Sequence, residues 1–368
     1  MKNEVIIKCL FETGKINLQY GSLLQSNPEG KSSDFDFGRV EGMLLGLAIG
    51  DALGATSEGM TADQRRSAFG KVTGYLPHPW ADGRSVGLPT DDTQLAFWTL
   101  ESMLDNDGLD PEQLAAIFTS RRIFGIGSTV RSFIRNYKAG HYWYECGPHS
   151  AGNGALMRIA PVLVPHLRSG GSSLWTDTVL TAMLTHNDEA SISACTAFIG
   201  MLWELLDMQD VPDPLWWVNR YVELAAPLEG HSQYEPRGGA YRDYIGSLWG
   251  FVQEHLPRAY EAGLTSRDAC DSWYSGAFLL ETVPSVLYVL MCHADDPREA
   301  IIRAVNDTVD NDTTAAIVGA AVGALHGRKA LPGEWIDGLA GRTALDDDGR
   351  VFDLIEEARE QFWKVKEQ

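Results

Sequence analysis

Two acidic segments, far apart in the chain, contain the residue types that bind hard divalent cations. The first covers residues 89–93 and reads Pro-Thr-Asp-Asp-Thr, and the second covers residues 310–314 and reads Asp-Asn-Asp-Thr-Thr. Each segment precedes a long apolar run that is typical of a buried helix, which places both sets of side chains at helix starts. Acidic residues are common in a first helical turn, so either segment alone is more simply a helix cap.

The two helix starts would form a cation site if they met in the fold. Four carboxylates would then lie together, those of Asp91, Asp92, Asp310 and Asp312. Two carboxylates about 4 Å apart repel each other by about 4 kcal/mol at an effective dielectric constant of 20, so a cluster of four needs cations. Oxygen ligands without His or Cys favour Mg²⁺ or Mn²⁺ over Zn²⁺. We therefore predict a site for two metal ions.

Three further segments contain polar residues that suit a ligand site, although each has a simpler interpretation. Glu58 follows a glycine-rich helix, where a lone carboxylate is commonly just solvated. Residues 150–158 contain Gly-Asn-Gly, which can expose N–H groups to phosphate oxygens but is more often a plain turn. His186 follows Thr185, and a single His is usually a core or capping residue.

Composition limits the function classes. The chain has 368 residues, 44% of them apolar, and a net charge of −20. This charge argues against a nucleic-acid surface and against an anionic membrane surface. The five cysteines contain no C-x-x-C pair, and no apolar stretch has the length of a signal peptide or a membrane span. We expect a cytoplasmic globular protein with reduced thiols.

The pattern of apolar residues predicts an all-α fold. Gly42, Gly46, Gly50 and Gly54 lie four apart on one predicted helix, which indicates close approach of a neighbouring helix. No alternation of strands and helices and no repeat of fixed period is present. Besides the helices already mentioned, we predict helices at residues 111–122, 128–137, 175–185, 189–208, 240–262, 283–292, 296–307 and 350–365.

Residues 1–36 differ from the remainder. Residues 5–11 and 15–20 are short apolar runs joined at Thr13-Gly14, a pattern that predicts a β-like hairpin, and the polar tract 25–36 reads as a linker. We therefore divide the chain into an N-terminal extension, residues 1–36, and a main domain, residues 37–368.

Together and in this order, the acidic, glycine-rich and Thr-His segments resemble the ADP-ribosylglycohydrolase family over about residues 37–345. That resemblance implies an orthogonal multi-helix bundle with two Mg²⁺ or Mn²⁺ ions, acting on ADP-ribosylated proteins. One departure is Val309-Asp310-Asn311, where the family commonly has Gly-Gly-Asp before the last acid.

The resemblance also implies roles for individual residues. The implied metal ligands are Thr90, Asp91, Asp92, Asp310, Asp312 and Thr313. The implied substrate-binding residues are Ser150, Gly152, Asn153, Gly154 and His186. The implied catalytic carboxylates are Glu58, Asp91, Asp92 and Asp312. Cleavage of the bond between ADP-ribose and a side chain needs an activated water and a proton donor, which ions and a carboxylate can supply.

These features predict a metal-dependent hydrolase that removes ADP-ribose from protein side chains, with arginine as the favoured acceptor. The extension suggests an additional partner, an ADP-ribosyltransferase toxin that residues 1–36 would block. The alternative is a protein of the same fold that binds a toxin, or serves structurally, without catalysis.

Overall fold

The computed structural model describes residues 2–364, and every regular element in that range is a helix. The β-bridges in that range are isolated pairs and form no sheet. The predicted all-α class is confirmed. The α-helices are α1 (Lys2–Glu12), α2 (Gly38–Gly54), α3 (Ala62–Phe69), α4 (Asp91–Asp105), α5 (Pro111–Ser120), α6 (Ser128–Lys138), α7 (Ser173–Met183), α8 (Glu189–Leu205), α9 (Pro214–Glu229), α10 (Leu248–Glu261), α11 (Ser266–Ser272), α12 (Leu279–His293), α13 (Pro297–Asp307), α14 (Asn311–His326), α15 (Gly333–Gly338) and α16 (Arg350–Ala358).

Helices α2 and α14 form the centre of the fold and touch through their backbones. A Cβ atom built on Gly46 would lie 2.1 Å from the carbonyl oxygen of Gly319, and one built on Gly50 would lie 2.0 Å from that of Ala315. The predicted close helix approach is therefore confirmed. Rising numbers on α2 meet falling numbers on α14, so the helices are antiparallel. The C-terminal end of α2 thus lies beside the N-terminal start of α14.

The remaining helices enclose this pair. Helices α12 and α13 pack against α14, α8 joins α14 to α7 and α9, and α10 packs between α9 and α12. Helix α4 contacts both α2 and α14. The buried apolar side chains form one continuous core across the described residues. This arrangement brings the starts of α4 and α14 to the same end of α2. No helix in the described range combines the length and the apolar character that crossing a bilayer requires.

Most predicted helices occur with small shifts at their ends, but the segment 240–262 is helical only from Leu248. Glycines and a tight turn precede Leu248, where Gly246 pairs with Tyr234 through two backbone hydrogen bonds. Helices α3, α11 and α15 were not predicted because they are short. Helix α9 was not predicted because Pro227 lies inside it, and proline is unfavourable in a helix interior.

The prediction of a β-like hairpin in the N-terminal extension is wrong. Residues 2–12 form α1, and a 3₁₀-helix covers Ser22–Gln25. Ile7 and Leu10 are buried and Ile6 and Phe11 pack beside them, which is the three- and four-residue spacing of one helix face. A short apolar run fits either structure, and here the neighbouring α7 supplies the surface that makes the helix stable.

The extension lies along the main domain rather than apart from it. Asn3 donates to the carbonyl oxygen of Leu109 and to Asp177, and the Lys31 ammonium group donates to the carbonyl oxygen of Trp203. Ile7, Leu10, Ile16 and Leu24 are buried in the common core. The boundary at residue 36 stays a prediction, but the described part of the extension is packed on the main domain.

Candidate functional site

The starts of α4 and α14 converge, as the sequence predicted they would have to for a cation site. The Thr313 hydroxyl donates to Oδ2 of Asp92 at 3.3 Å, and the Thr90 hydroxyl lies 3.1 Å from the same oxygen. Asp92, Thr90, Asp312 and Thr313 are all buried. Two acidic motifs separated by more than two hundred residues therefore share one place.

Asp51, on the buried last turns of α2, holds the start of α4 in position. Its carboxylate accepts hydrogen bonds from the backbone N–H groups of Thr90 and Thr93, each at 3.0 Å. It also accepts from both hydroxyls, at 2.8 Å from Thr90 and 2.5 Å from Thr93. Asp51 was not predicted as a site residue, although an Asp on an otherwise apolar, glycine-rich helix was a visible signal.

The carboxylates fall into two groups whose oxygens lie within 4.8 Å of one another. One group contains Asp51, Asp92 and Asp312, and the other contains Glu58, Asp310 and Asp312. Asp312 belongs to both groups, so its carboxylate would be the one shared by two cations. Asp91 lies on the wall of the same cavity but in neither group, so its role as a metal ligand stays a prediction.

The donor set suits a hard divalent cation. Oδ1 of Asp92 is buried and has no hydrogen-bond partner, which is costly for a carboxylate oxygen unless a cation or proton satisfies it. The surrounding ligand atoms are carboxylate and hydroxyl oxygens, with no thiolate or imidazole in either group. Oxygen-only sets of this kind fit Mg²⁺ or Mn²⁺.

Mutual repulsion and burial both favour protonation of these acids. Desolvation, followed by the charges of Asp310 and Asp51, raises the pKa of Glu58 to about 7. Desolvation also raises the pKa of Asp310 to about 6, although the hydrogen bond from Asn153 opposes that shift. The pKa of Asp312 is raised well above its ordinary value, first by desolvation and then by Asp310. A bound cation would remove the proton and supply the missing charge.

A cavity of about 260 Å³ opens directly onto these carboxylates. Its lining residues are Glu58, Asp91, Asp92, Gly125, Gly127, Ser128, Thr129, Val130, Ser150, Gly152, Asn153, Gly154, Met157, His186, Arg237, Ala277, Phe278, Asp310, Asp312 and Thr313. All five residues predicted to bind substrate are among them, together with Glu58 and five of the six predicted metal ligands, all but Thr90.

The Gly-Asn-Gly segment connects the cavity wall to the acidic cluster. The Asn153 amide donates to Oδ2 of Asp310 at 2.5 Å and to the Thr282 hydroxyl at 3.0 Å. A Cβ atom on Gly154 would lie 3.0 Å from Cε1 of His186, and one on Gly152 would lie 3.3 Å from Nε2. The two glycines therefore make room for the imidazole.

His186 is held as a neutral imidazole with a defined tautomer. Desolvation and then the charge of Arg158 lower the pKa of His186 to about 3. The Thr185 hydroxyl accepts from Arg158 at 2.8 Å and lies 2.9 Å from Nδ1 of His186. The buried hydroxyl needs an acceptor for its own proton, and Nδ1 is the one in reach, so the imidazole proton is on Nε2. That N–H is the group on the cavity side.

The start of α6 lines the cavity, which was not predicted. Residues 125–130 read Gly-Ile-Gly-Ser-Thr-Val, all of them except Ile126 line the cavity, and no side chain caps the N-terminus of the helix at Gly127. The free N–H groups of a first helical turn attract anions. Helix 128–137 was predicted, but a Gly-x-Gly-Ser-Thr start alone was too weak a signal for a ligand contact.

A second missed element supports Asp310 from behind. The Ser275 carbonyl oxygen accepts from the Asp310 N–H at 3.0 Å, and the Ser275 hydroxyl accepts from the Val309 N–H at 3.1 Å. Tyr274 and Ser275 both have left-handed backbones, with φ of 79° and 50°. Such conformations cost about 1 to 3 kcal/mol each outside glycine and are common at functional sites.

The N-terminal extension reaches the rear of the site through Asn187. The Asn17 N–H donates to Oδ1 of Asn187 at 2.9 Å, and the Asn17 amide donates to the Asn187 carbonyl oxygen at 2.7 Å. The Asn187 amide donates to the Lys15 carbonyl oxygen at 2.9 Å. Asn187 directly follows His186, so residues 15–17 help to fix the His186 backbone.

Comparison with known proteins identifies similar chains and a similar fold. A family model described as ADP-ribosylglycohydrolase matches residues 32–365. The ADP-ribosyl-dinitrogen reductase glycohydrolase of Rhodospirillum rubrum is 28% identical, over 82% of this chain and 90% of that protein. ADP-ribosylarginine hydrolase Tri1 of Pseudomonas putida is 26% identical, over 82% of this chain and 74% of that one. A solved structure named ADP-ribosylglycohydrolase-related protein complex has a TM-score of 0.63 at 24% identity, over 88% of this chain and 96% of its own. That likeness shows the fold alone.

Proposed function

Because this chain belongs to the ADP-ribosylglycohydrolase family, we propose that it hydrolyses the glycosidic bond between ADP-ribose and a protein side chain, with arginine as the favoured acceptor. The observation that carries the proposal is the meeting of the two acidic helix starts at one end of the cavity. Asp312 belongs to both carboxylate groups there, and Oδ1 of Asp92 has no hydrogen-bond partner.

The residues of the chain divide the work along the cavity. The uncapped start of α6 and the Gly-Asn-Gly segment present N–H groups suited to the pyrophosphate of ADP-ribose. The Nε2–H group of His186 donates a hydrogen bond to a ligand oxygen between them. These contacts orient the ribose with its reacting carbon toward the carboxylates. Correct orientation by itself lowers the activation free energy of hydrolysis considerably.

Asp92, Asp310, Asp312, Thr90 and Thr313 would hold the metal ions, and we propose Asp91 as a further ligand. Two bound divalent ions would supply ribose orientation and a water of lowered pKa. Asp51 keeps Thr90 and Thr93 in place through four hydrogen bonds. Mg²⁺ is the ion that we propose, with Mn²⁺ as the substitute of the same ligand preference.

Glu58 is the proposed proton donor to the departing side chain. Its side chain lies at the mouth of the cavity, 4.8 Å or less from oxygens of Asp310 and Asp312. A pKa near 7 suits a group that gives up and regains a proton at neutral pH. The acidic mouth also suits a cationic arginine acceptor, and the name of the Pseudomonas putida relative agrees with that choice.

The test is ADP-ribose release from ADP-ribosylarginine and ADP-ribosylserine peptides, with EDTA, Mg²⁺ or Mn²⁺. We expect release from the arginine peptide with either ion and none with EDTA. Asp312→Asn removes the carboxylate shared by both groups, so it should lower turnover by about a thousandfold or more and abolish calorimetric Mg²⁺ binding.

The matched control is Asp296→Asn. Asp296 also caps a helix start, accepting from the N–H groups of Arg298 and Glu299, and Asn can accept both bonds. This variant should keep full activity and metal binding. Near-parental turnover by Asp312→Asn would contradict the metal-dependent mechanism, and release from serine peptides alone would contradict the arginine preference.

A second function of the extension, binding an ADP-ribosyltransferase toxin, has one observation in its favour. Most of the extension precedes residue 32, where the family match begins, and it carries large exposed apolar side chains. Val5 is 70% exposed and Tyr20 is 59% exposed. Because α1 is packed on the main domain, a toxin would bind the outer, exposed surface of α1. The extension would then block the toxin as part of the folded domain rather than as a free segment.

A further inference from the structure

A second cavity, of about 660 Å³, continues from the ligand cavity on the far side of the acidic mouth. Four residues line both cavities, namely Glu58, Arg237, Ala277 and Asp310. The second cavity also touches Gly238, Gly239, Arg242 and Tyr274. We call it the acceptor groove, because a side chain whose sugar lies at the carboxylates would extend past Glu58 into it.

The acceptor groove is lined by both acidic and basic side chains. Glu58 and Asp310, the acids that line it, belong to the carboxylate groups described above. Arg237 donates to both carboxylate oxygens of Glu281, at 3.2 Å and 2.8 Å. Glu281 is fully buried while half of the Arg237 side chain is exposed, so the pair fixes a guanidinium at the groove surface.

Arg242 is the second cation of the acceptor groove. Its side chain is exposed, and among residues 2–364 no carboxylate forms an ion pair with it. The whole chain carries a net charge of −20, so an unpaired arginine at this position stands out against its surroundings. With the acids of the mouth engaged by cations, the outer groove has a net positive charge.

An aromatic side chain, that of Tyr274, also lines the acceptor groove. Tyr274 is 42% exposed, and its left-handed backbone is fixed by the hydrogen bonds of Ser275 to residues 309 and 310. A Cβ atom on Gly238 would lie 2.7 Å from Cγ of Tyr274, so the glycine lets the loop pass directly against the ring. An extended peptide could lie between this ring and Arg242.

We infer that the acceptor groove binds the protein segment around the modified side chain and prefers segments with acidic residues next to it. Arg242 would contact a carboxylate of that segment, Arg237 would line the path to it, and Tyr274 would pack on its backbone. The inference rests on the proposed function, since it assigns the acceptor side of the same site. It adds selectivity among target sites, which the binding of ADP-ribose alone does not supply.

The experiment compares three peptides with the same ADP-ribosylated arginine, flanked by Asp and Glu, by Asn and Gln, or by Lys. At low ionic strength we expect the KM of the acidic peptide to be about tenfold below that of the Lys peptide. The difference should narrow in 0.5 M NaCl, where charges more than about 4 Å apart are screened. In Arg242→Glu the KM of the Lys peptide divided by that of the acidic peptide should fall from about ten to about one or below.

The matched control is Arg168→Glu, which changes the net charge equally. Arg168 is likewise exposed and forms no ion pair within the described range, but it does not line the groove. Its KM ratio should stay at the parental value. Equal KM values for all three peptides, or the same fall in both variants, would overturn the groove inference while leaving the proposed function standing. Failure to release ADP-ribose from any peptide would overturn the proposed function itself.

Discussion

At His186, a single side chain combines burial, hydrogen bonding and contact with the ligand cavity. Its imidazole is neutral because burial and Arg158 lower its pKa to about 3. The glycines at positions 152 and 154 leave room for the ring, and Thr185 fixes the ring nitrogen farther from the cavity. A neutral donor that does not titrate near neutrality can bind a ligand oxygen at any physiological pH.

His186→Ala should raise KM by about tenfold, the worth of one hydrogen bond to a ligand, and leave metal binding intact. The KM of the parent should show no inflection from an imidazole between pH 5 and 8, because that titration lies near pH 3. Steady-state kinetics across this pH range, with calorimetric Mg²⁺ titration, measure both effects. The variant His186→Gln retains an amide donor and should recover part of the loss. A complete loss of Mg²⁺ binding would show that His186 serves the metal centre instead.

Many residues of the site could be predicted from their types and spacing, but the residues that they contact are visible only in the fold. Asp92 and Asp312 could be paired from sequence because two acidic helix starts without cationic neighbours need a common counter-charge. Asp51 could not, because its role depends on the register at which α2 meets α4. Arg237 was hidden for the same reason, since its partner Glu281 lies forty-four residues away on α12.

At the level of elements, the contact between α2 and α14 determines whether the carboxylates meet. Carbonyl oxygens of one helix lie where a Cβ atom of the other would be, at 2.1 Å for Gly46 and 2.5 Å for Gly42. Any side chain there would push the helices apart and shift Asp312 relative to Asp51. The four-residue glycine spacing predicted a close approach, but not which helix would approach.

Gly46→Ala should destabilise the protein by about 3 kcal/mol, because the methyl group would overlap the Gly319 carbonyl group. In an open helix the same change would instead be favourable by up to about 1 kcal/mol. Gly333→Ala is the matched control, because a Cβ atom there meets nothing within 4 Å. Denaturant unfolding of both variants measures the difference. Equal stability of the two variants would mean that α2 and α14 are not in backbone contact.

Helix α1 shows where local pattern reaches its limit. Val5, Ile6 and Ile7 are β-branched and favour strands in isolation, yet the segment is a helix. At one end of the helix the Asn3 amide donates hydrogen bonds to the Leu109 carbonyl oxygen and to Asp177, and Ile7 lies in the core. Tertiary contacts of this kind override a weak local preference, and they are not visible in seven consecutive residues.

For the whole molecule, stability and cation binding should be linked through pH. The raised pKa values of Glu58, about 7, and Asp310, about 6, mean that the folded protein binds protons more tightly than the unfolded chain. This contribution to stability is present at low pH and is lost as pH rises toward 7. Cations bind the deprotonated carboxylates, so they should stabilise most at high pH.

We therefore expect the metal-free melting temperature to fall between pH 5 and 8, and the increase produced by Mg²⁺ to be larger at pH 8 than at pH 5. Mg²⁺ at a hundredfold excess over its dissociation constant adds about 2.7 kcal/mol to the free energy of unfolding. Calorimetric melting with EDTA and with Mg²⁺ at each pH measures this. The variant Asp312→Asn should show little Mg²⁺ effect at either pH. A parent whose melting is unchanged by Mg²⁺ at pH 8 would contradict the proposed centre.

The N-terminal extension was predicted to bind a partner, but the structure shows that it also supports the fold. Its described residues contribute to the core of this protein. Ile7, Leu10, Ile16 and Leu24 are buried, and each buried aliphatic side chain contributes about 1.5 to 3 kcal/mol. Asn17 in addition binds Asn187, the neighbour of His186 in the cavity wall.

Deletion of residues 2–31 should therefore lower the melting temperature by several degrees and raise KM, because Asn187 loses its contacts with residues 15–17.

The same deletion cannot test toxin binding, since it disturbs the fold. Val5→Asp can, because Val5 is 70% exposed and its replacement leaves the buried face of α1 unchanged. If the extension blocks an ADP-ribosyltransferase toxin through its outer face, Val5→Asp should keep the parental melting temperature and hydrolysis but lose toxin binding, while Lys8→Gln should keep all three. Parental toxin affinity in Val5→Asp would exclude this face, and parental melting temperature and KM after the deletion would show that the extension does not support the site.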